Sequence, residues 1–173
     1  MTDNNAREAH IVVGVVPNQP DAVVIEAATL ALLFGAELVC AWVDVSSFAV
    51  DELPDGSVRS FPYDPDAIDT RTAEFDPELK ARIGTLLDER GVTWSTRVLA
   101  GDPARALGHL ADRLDAAMIV VGTREATVRA TVQEFFGGSV AVHLAHRQHR
   151  PVVVIPLAPV SPDQALPWEG TER

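Results

Sequence analysis

The stretch from Met118 to Pro156 limits the fold most, because it sets two short, uniformly apolar runs on either side of a glycine turn and a helical pattern. Met118-Ile119-Val120-Val121 stops at Gly122, and a polar segment follows that ends in Gly137-Gly138-Ser139. A helical pattern runs from Ser139 to about Gln148, and Pro151 leads into Val152-Val153-Val154-Ile155. Runs of four to six residues that are apolar on both faces suit parallel strands covered by helices on either side. A helix start behind glycines offers unpaired N–H groups and a partial positive charge, a natural seat for a phosphate. Any parallel αβ protein also needs glycine where a strand turns into a helix. Spacing alone therefore leaves a phosphate-bearing ligand and a purely architectural turn both open.

The upstream chain repeats the same alternation. His10-Ile11-Val12-Val13-Gly14-Val15-Val16 is an apolar run ended by Pro17 and Asn18. Pro20 and Asp21 start a helix expected to reach about Phe34, with Val24, Ala28, Ala31 and Leu32 at helical spacing and Gly35 as its stop. Glu37 to Val43 reads as a second strand. Asp76-Pro77 and Asp102-Pro103 each pair an N-cap acid with proline at the first helical position. The stripes behind them are Leu79, Ile83, Leu86 and Leu87, then Leu107, Leu110, Ala111 and Leu114. Between the two helices, Val92, Trp94, Thr96 and Val98 alternate with polar residues, as in a strand near a sheet edge. The order is strand–helix–strand, a long insert, then helix–strand three times over, which predicts one α/β domain with a parallel sheet and right-handed crossovers.

Residues 44–76 interrupt this rhythm. They hold Pro54, Pro62 and Pro65, and nine acids against Arg59 and Arg71. The absence of a period predicts a long acidic loop, the most mobile part of the domain, leaving from the carboxyl end of a strand where α/β sheets place ligand crevices. Residues 1–9 are expected to be disordered. Residues 158–173 are expected to form an extended proline-rich tail. A net charge of −11 argues against nucleic acid or an acidic membrane as a partner. Cys40, the single cysteine, excludes an intramolecular disulfide, and no apolar run approaches the roughly 20 residues of a membrane span. The N-terminus lacks a secretory pattern, so the cytoplasm is the expected location.

From about His10 to Pro156 the chain resembles the universal stress protein family. The resemblance is carried by "IVVGVV", by "GDPARALGHLADRLDAAMIVVGT" and above all by "GGSVAVHLAHRQHRPVVVIP". It implies a five-stranded parallel sheet in the order 3-2-1-4-5 with helices on both faces. It also implies a homodimer and, in many members, bound ATP or AMP, with Mg2+ only if the ligand is ATP. Carried onto this chain, the nucleotide site would comprise Gly14, Val43, Asp44, Gly122, Thr123, Arg124, Gly138, Ser139 and Val140. ATP-binding members have the pattern G-x2-G-x9-G-[ST]. Here Gly122 and Gly138-Ser139 fit its ends but lie sixteen residues apart rather than thirteen, with no glycine between Gly122 and Gly137. Glu125 or Val128 stands where the middle glycine would be, and Val16 where the family has an acid after the first strand. Asp44 could partly replace that acid. Glu125 would set a carboxylate near the phosphates, which Arg124 and Arg129 could offset, and Val128, Val132, Phe135 and Phe136 have helical spacing.

Three readings of function follow: a regulatory stress-response module that binds an adenine nucleotide weakly and without fast turnover, a nucleotide-free dimeric interaction protein, or an adenine-nucleotide enzyme. The last has least support, since no catalytic acid–base pair or glycine-rich first-strand loop is visible. Ser139 does not sit in a G-x-S-x-G elbow. His143, His146 and His149 lack an acid or cysteine to complete a metal shell. The apolar last strand, Val152 to Ile155, is expected to pair with its twin across a two-fold axis. Trp42, Trp94 and Trp168 read as core or interface residues.

Overall fold

A computed structural model describes residues 9–64, 74–123 and 140–157. Its elements in chain order are β1 (Ala9–Gly14), α1 (Ala22–Phe34), β2 (Ala36–Asp44), β3 (Ser47–Glu52), β4 (Val58–Pro62), α2 (Pro77–Asp88), β5 (Trp94–Ala100), α3 (Pro103–Arg113), β6 (Met118–Gly122), α4 (Val140–Arg147) and β7 (Val152–Ile155). Five strands form one parallel sheet in the order β5-β2-β1-β6-β7. This is the expected 3-2-1-4-5 arrangement. The alternating strand β5 lies at one edge and the apolar β7 at the other.

Strand residues of alternate parity feed two separate cores. Ile11, Val13, Leu38 and Cys40 pack with α1 and α2, whereas Val12, Val39, Ile119 and Val121 pack with α3 and α4. Burial on both faces is why these strands read as unbroken apolar runs. The capping signals form as spacing dictates. Asp76 Oδ1 accepts from Leu79 N at 2.8 Å, and Asp102 Oδ1 accepts from Arg105 N at 2.9 Å. Gly35 ends α1 at φ 59°, a left-handed conformation that suits glycine. In α1 the buried face is Val23, Val24, Ala27, Ala28 and Ala31. Leu32, expected in that stripe, is exposed, because a step of about 100° per residue carries it to the flank of this face.

The insert corrects the sequence reading. Its first part is not a loop: β3 and β4 form an antiparallel hairpin, a two-stranded sheet of its own. Leu53-Pro54-Asp55-Gly56 makes the turn, with Leu53 N donating to Ser57 O at 2.8 Å and Asp55 Oδ1 accepting from Ser57 N at 2.9 Å. A register shift between Ala49 and Asp51 breaks the alternation that would have marked β3. The hairpin packs over β5 and α3. Arg97 Nε donates to Asp55 O, and Glu52 lies 3.3 Å from Arg113 Nε and 3.1 Å from His109 Nε2. Residues 1–8, 65–73 and 158–173 lie outside the described residues, and the expectations of disorder, loop and tail there go with them.

Candidate functional site

The strand order reverses between β1 and β6, because β1 continues through α1 to one side while β6 lies on the other. At such a point the helices leave on opposite faces and open a crevice at the carboxyl ends of the strands. A cavity of about 410 Å³ lies there. Gly14, Val43 and Gly122 reach it from the ends of β1, β2 and β6, with Thr123 just beyond, and Val140 reaches it from the first residue of α4. Leu107 of α3 lies below, and Leu157 closes one side.

The rim is the segment Val15 to Pro20. Val15 N donates to Ala41 O at 2.9 Å, prolonging the strand pairing by one step. The chain then curls back through Asn18 at φ 61°, with Val16 N donating to Gln19 Oε1 at 3.3 Å. Arg82 of α2 holds this turn from outside: its Nη2 donates to Gln19 O at 2.9 Å, and its Nε lies 3.4 Å from Asp21. The turn is therefore tied to the scaffold at both ends.

The two strand-end glycines are there for space. A Cβ on Gly14 would lie 3.1 Å from Leu107 Cδ1. One on Gly122 would lie 2.8 Å from Val23 Cγ2 and 3.1 Å from both Gln19 Nε2 and Leu157 Cδ1. Thr123 closes the β6–β7 end, its N donating to Ile155 O at 2.8 Å and its hydroxyl accepting from Leu157 N at 2.8 Å.

Five of the nine expected site residues thus meet in one cavity: Gly14, Val43, Gly122, Thr123 and Val140. Asp44 does not offer its carboxylate as expected. Oδ1 accepts from Ser46 N at 2.9 Å and Ser46 Oγ at 2.6 Å, and Oδ2 accepts from Ser47 Oγ at 2.6 Å. Partial burial raises the Asp44 pKa, but these serine hydrogen bonds outweigh it and hold the carboxyl below its ordinary value. The carboxylate starts the hairpin instead of facing the crevice. Arg124, Gly138 and Ser139 lie outside the described residues, as do Glu125, Arg129 and the helical spacing of Val128 to Phe136.

Sequence reading placed Val16 at the site but missed Val15, Pro17 to Pro20, Ala41, Val45, Pro103, Leu107, Val121 and Leu157 as lining residues. The pair Pro17-Asn18 was a turn signal directly after the first strand and could have pointed to the rim. Leu107 could not be found that way, since its helical spacing marked it only as core. The polar lining side chains among the described residues are Asn18, Gln19 and Thr123, and no charged side chain joins them. Such walls suit a flat, largely apolar group with a few hydrogen-bonding edges. Among the described residues no three His, Cys, Asp or Glu side chains cluster as a metal site. Trp42 and Trp94 pack against the α1–α2 core, and Trp94 Nε1 donates to Asp88 Oδ1 at 3.0 Å. Trp168 lies outside the described residues.

A family model, the universal stress protein family, matches residues 9–156. The chain belongs to that family. Among solved structures, one similar to it is a universal stress protein from Archaeoglobus fulgidus, at 23% identity and a TM-score of 0.56 over 85% of this chain and 93% of that one. A universal stress protein in complex with cAMP is 21% identical at a TM-score of 0.57, over 88% of this chain and 100% of that one. The universal stress protein from Archaeoglobus fulgidus in complex with dAMP is 18% identical at a TM-score of 0.53, over 86% and 98% respectively. At these identities the likeness concerns the fold. A comparison with curated protein sequences gives no match. No helix among the described residues is long and apolar enough to cross a membrane.

Proposed function

We propose that the chain is a homodimeric regulatory module of the stress response that acts in the cytoplasm. It holds an adenine nucleotide weakly, without fast turnover, in the crevice at the ends of β1, β2 and β6. The observation that carries this reading is the cavity itself. Its position at the reversal of strand order, its volume and its uncharged walls fit an adenosine moiety, and the similar folds in complex with cAMP and dAMP support the choice of ligand. The base and ribose would rest among Val15, Val16, Val43 and Leu107, with Asn18 and Gln19 available to the base edge. The phosphates would extend toward Thr123 and the start of α4, where Gly138 and Ser139 precede Val140 in sequence. If the ligand is ATP, it would bring Mg2+ on its own phosphates.

Weak binding follows from two absences in the described wall. Val16 supplies no carboxylate to the ribose hydroxyls, and Asp44 has already committed both oxygens to Ser46 and Ser47. A Kd on the order of 10–100 μM is expected. Calorimetric titration with AMP and with Mg2+–ATP tests this, using Leu107→Trp to fill the cavity as a control. Saturable heat in the wild type that disappears in Leu107→Trp supports the reading. No saturable heat with either nucleotide at millimolar concentration rejects it.

Dimerisation would use β7. The opposite edge strand, β5, is covered by the β3–β4 hairpin, whereas Val154 on β7 is 42% exposed. An uncovered apolar edge invites a second copy of the same strand.

A further inference from the structure

A second concavity, on the far side of the hairpin, has a different chemistry. Phe48 and Tyr63 of the insert line one side, their ring centroids 5.6 Å apart. Arg105 of α3 and Arg147 of α4 line the other. The groove encloses about 830 Å³. Both residues are exposed, at 43% and 62%.

The two arginines differ from most others among the described residues. Arg59, Arg82, Arg97, Arg113 and Arg150 each lie within 4.0 Å of a carboxylate. Arg105 and Arg147 have no side-chain partner among the described residues. The acids on the same groove are occupied: Asp102 caps α3, and Asp112 lies 3.6 Å from Arg150. In a chain of net charge −11, two cations with no carboxylate partner among the described residues stand beside two exposed aromatic side chains. Together they fit an acidic segment that carries an aromatic side chain, by ring stacking, cation–π contact and charge.

The chain holds such a segment. Residues 158–173 follow β7 and contain Asp163, Glu169, Glu172 and Trp168, against Arg173 alone among basic residues. Trp168 stands eleven residues beyond Leu157, the last described residue before it. Extended, that length spans about 35 Å, close to the width of a domain of this size, so the far face lies within reach. Pro159, Pro162 and Pro167 lower the entropy lost on docking. We propose that the groove between the β3–β4 hairpin and helices α3 and α4 receives the chain's own segment 158–173, with Trp168 against Phe48 and Tyr63 and the segment's carboxylates facing Arg105 and Arg147.

Disulfide trapping in the full chain tests this. Cys40 is fully buried and its pKa is pushed up to about 12 by burial, so introduced cysteines react alone. Ala49→Cys on the hairpin wall is combined with Gly170→Cys beside Trp168. Leu33→Cys, on an exposed position of α1 away from the groove, is combined with Gly170→Cys as the control. Under mild oxidation, the groove pair should bridge at least tenfold faster than the control pair, within one chain or between two copies. Arg105→Glu with Arg147→Glu, and separately Trp168→Ala, should bring the groove pair down to the control rate. Equal rates for the two pairs overturn the proposal. So does fast bridging that ignores both the charge reversal and the loss of the indole.

Discussion

Gly122 is expected at the first position of the family's ATP pattern, and its surroundings give it a measurable packing task. A Cβ there would stand 2.8 Å from Val23 Cγ2, well inside ordinary van der Waals contact. Val23 is fully buried and β-branched, so it cannot swing away without leaving its rotamer. Gln19 and Leu157, each 3.1 Å from the new atom, sit on the cavity rim and can yield. Overpacking of this kind costs about 1–3 kcal/mol, while alanine recovers about 0.4–1 kcal/mol by restricting the unfolded chain. The difference predicts that Gly122→Ala destabilises by about 1–2 kcal/mol. With a urea dependence of about 2 kcal/mol per molar, the midpoint should fall by roughly 0.5–1 M in equilibrium unfolding followed by circular dichroism. The cause is checked with Val23→Ala, which removes the clashing methyl groups. The double variant should lose less than the sum of the single losses by about 1 kcal/mol. A midpoint that stays level or rises in Gly122→Ala, or strict additivity in the cycle, would refute the packing argument.

Restoring an acid at the crevice rim with Val16→Asp should strengthen AMP binding about tenfold in calorimetry, through the ribose hydroxyls, and leave the fold intact because Val16 is exposed. Val154→Lys places a charge on the uncovered β7 edge, and sedimentation at micromolar concentration should shift from dimer toward monomer. Asp76→Ala removes the oxygen that accepts from Leu79 N at 2.8 Å and should cost about 1 kcal/mol in urea unfolding. The Asp44 carboxyl is held below its ordinary value by Ser46 and Ser47, so its contribution is present above the unfolded-state pKa near 4 and is lost as pH falls through the lower folded value. Asp44→Asn should therefore lessen the drop in thermal midpoint between about pH 5 and pH 3. An unchanged drop would remove Asp44 from the acid response.

Which features were legible depended on whether local chemistry alone decides them. Proline behind an aspartate fixed the starts of α2 and α3. Apolar runs on both faces marked β1, β2 and β6, whose residues feed both helix layers, and also β7, although Val154 there stays exposed. The hairpin was missed because the register shift at Val50 spoils the alternation, and because its acids were read as solvated charge. Glu52 and Asp55 in fact hold the hairpin to α3 and β5 by long-range contacts that no window of sequence contains. The Pro54-Asp55-Gly56 turn was the local signal that carried the information. Asp44 shows the same limit from the other side. Its place at the end of β2 was read correctly, but two serines downstream decide where its carboxylate points.

Strand order brings the ends of β1, β2 and β6 together, and so a crevice forms there whatever polar groups line it. Here its lining is mostly apolar. Gly14, Val43, Gly122 and Val140 converge with Val15, Val16 and Leu107 on a space with no charged wall among the described residues. An uncharged wall binds through shape and apolar burial, at roughly 25 cal/mol per Å² removed from water, and cannot count phosphates. If the proposed nucleotide binds here, discrimination between mono- and triphosphate would fall to groups other than these walls. The stretch between Thr123 and Val140 carries Arg124 and Arg129 as well as Glu125 in its sequence. Exchanging Glu125 for glycine should raise affinity for ATP more than for AMP, because the repulsion grows with the number of phosphate charges nearby. Equal gains for the two nucleotides would place Glu125 away from the phosphates and refute its part in selectivity.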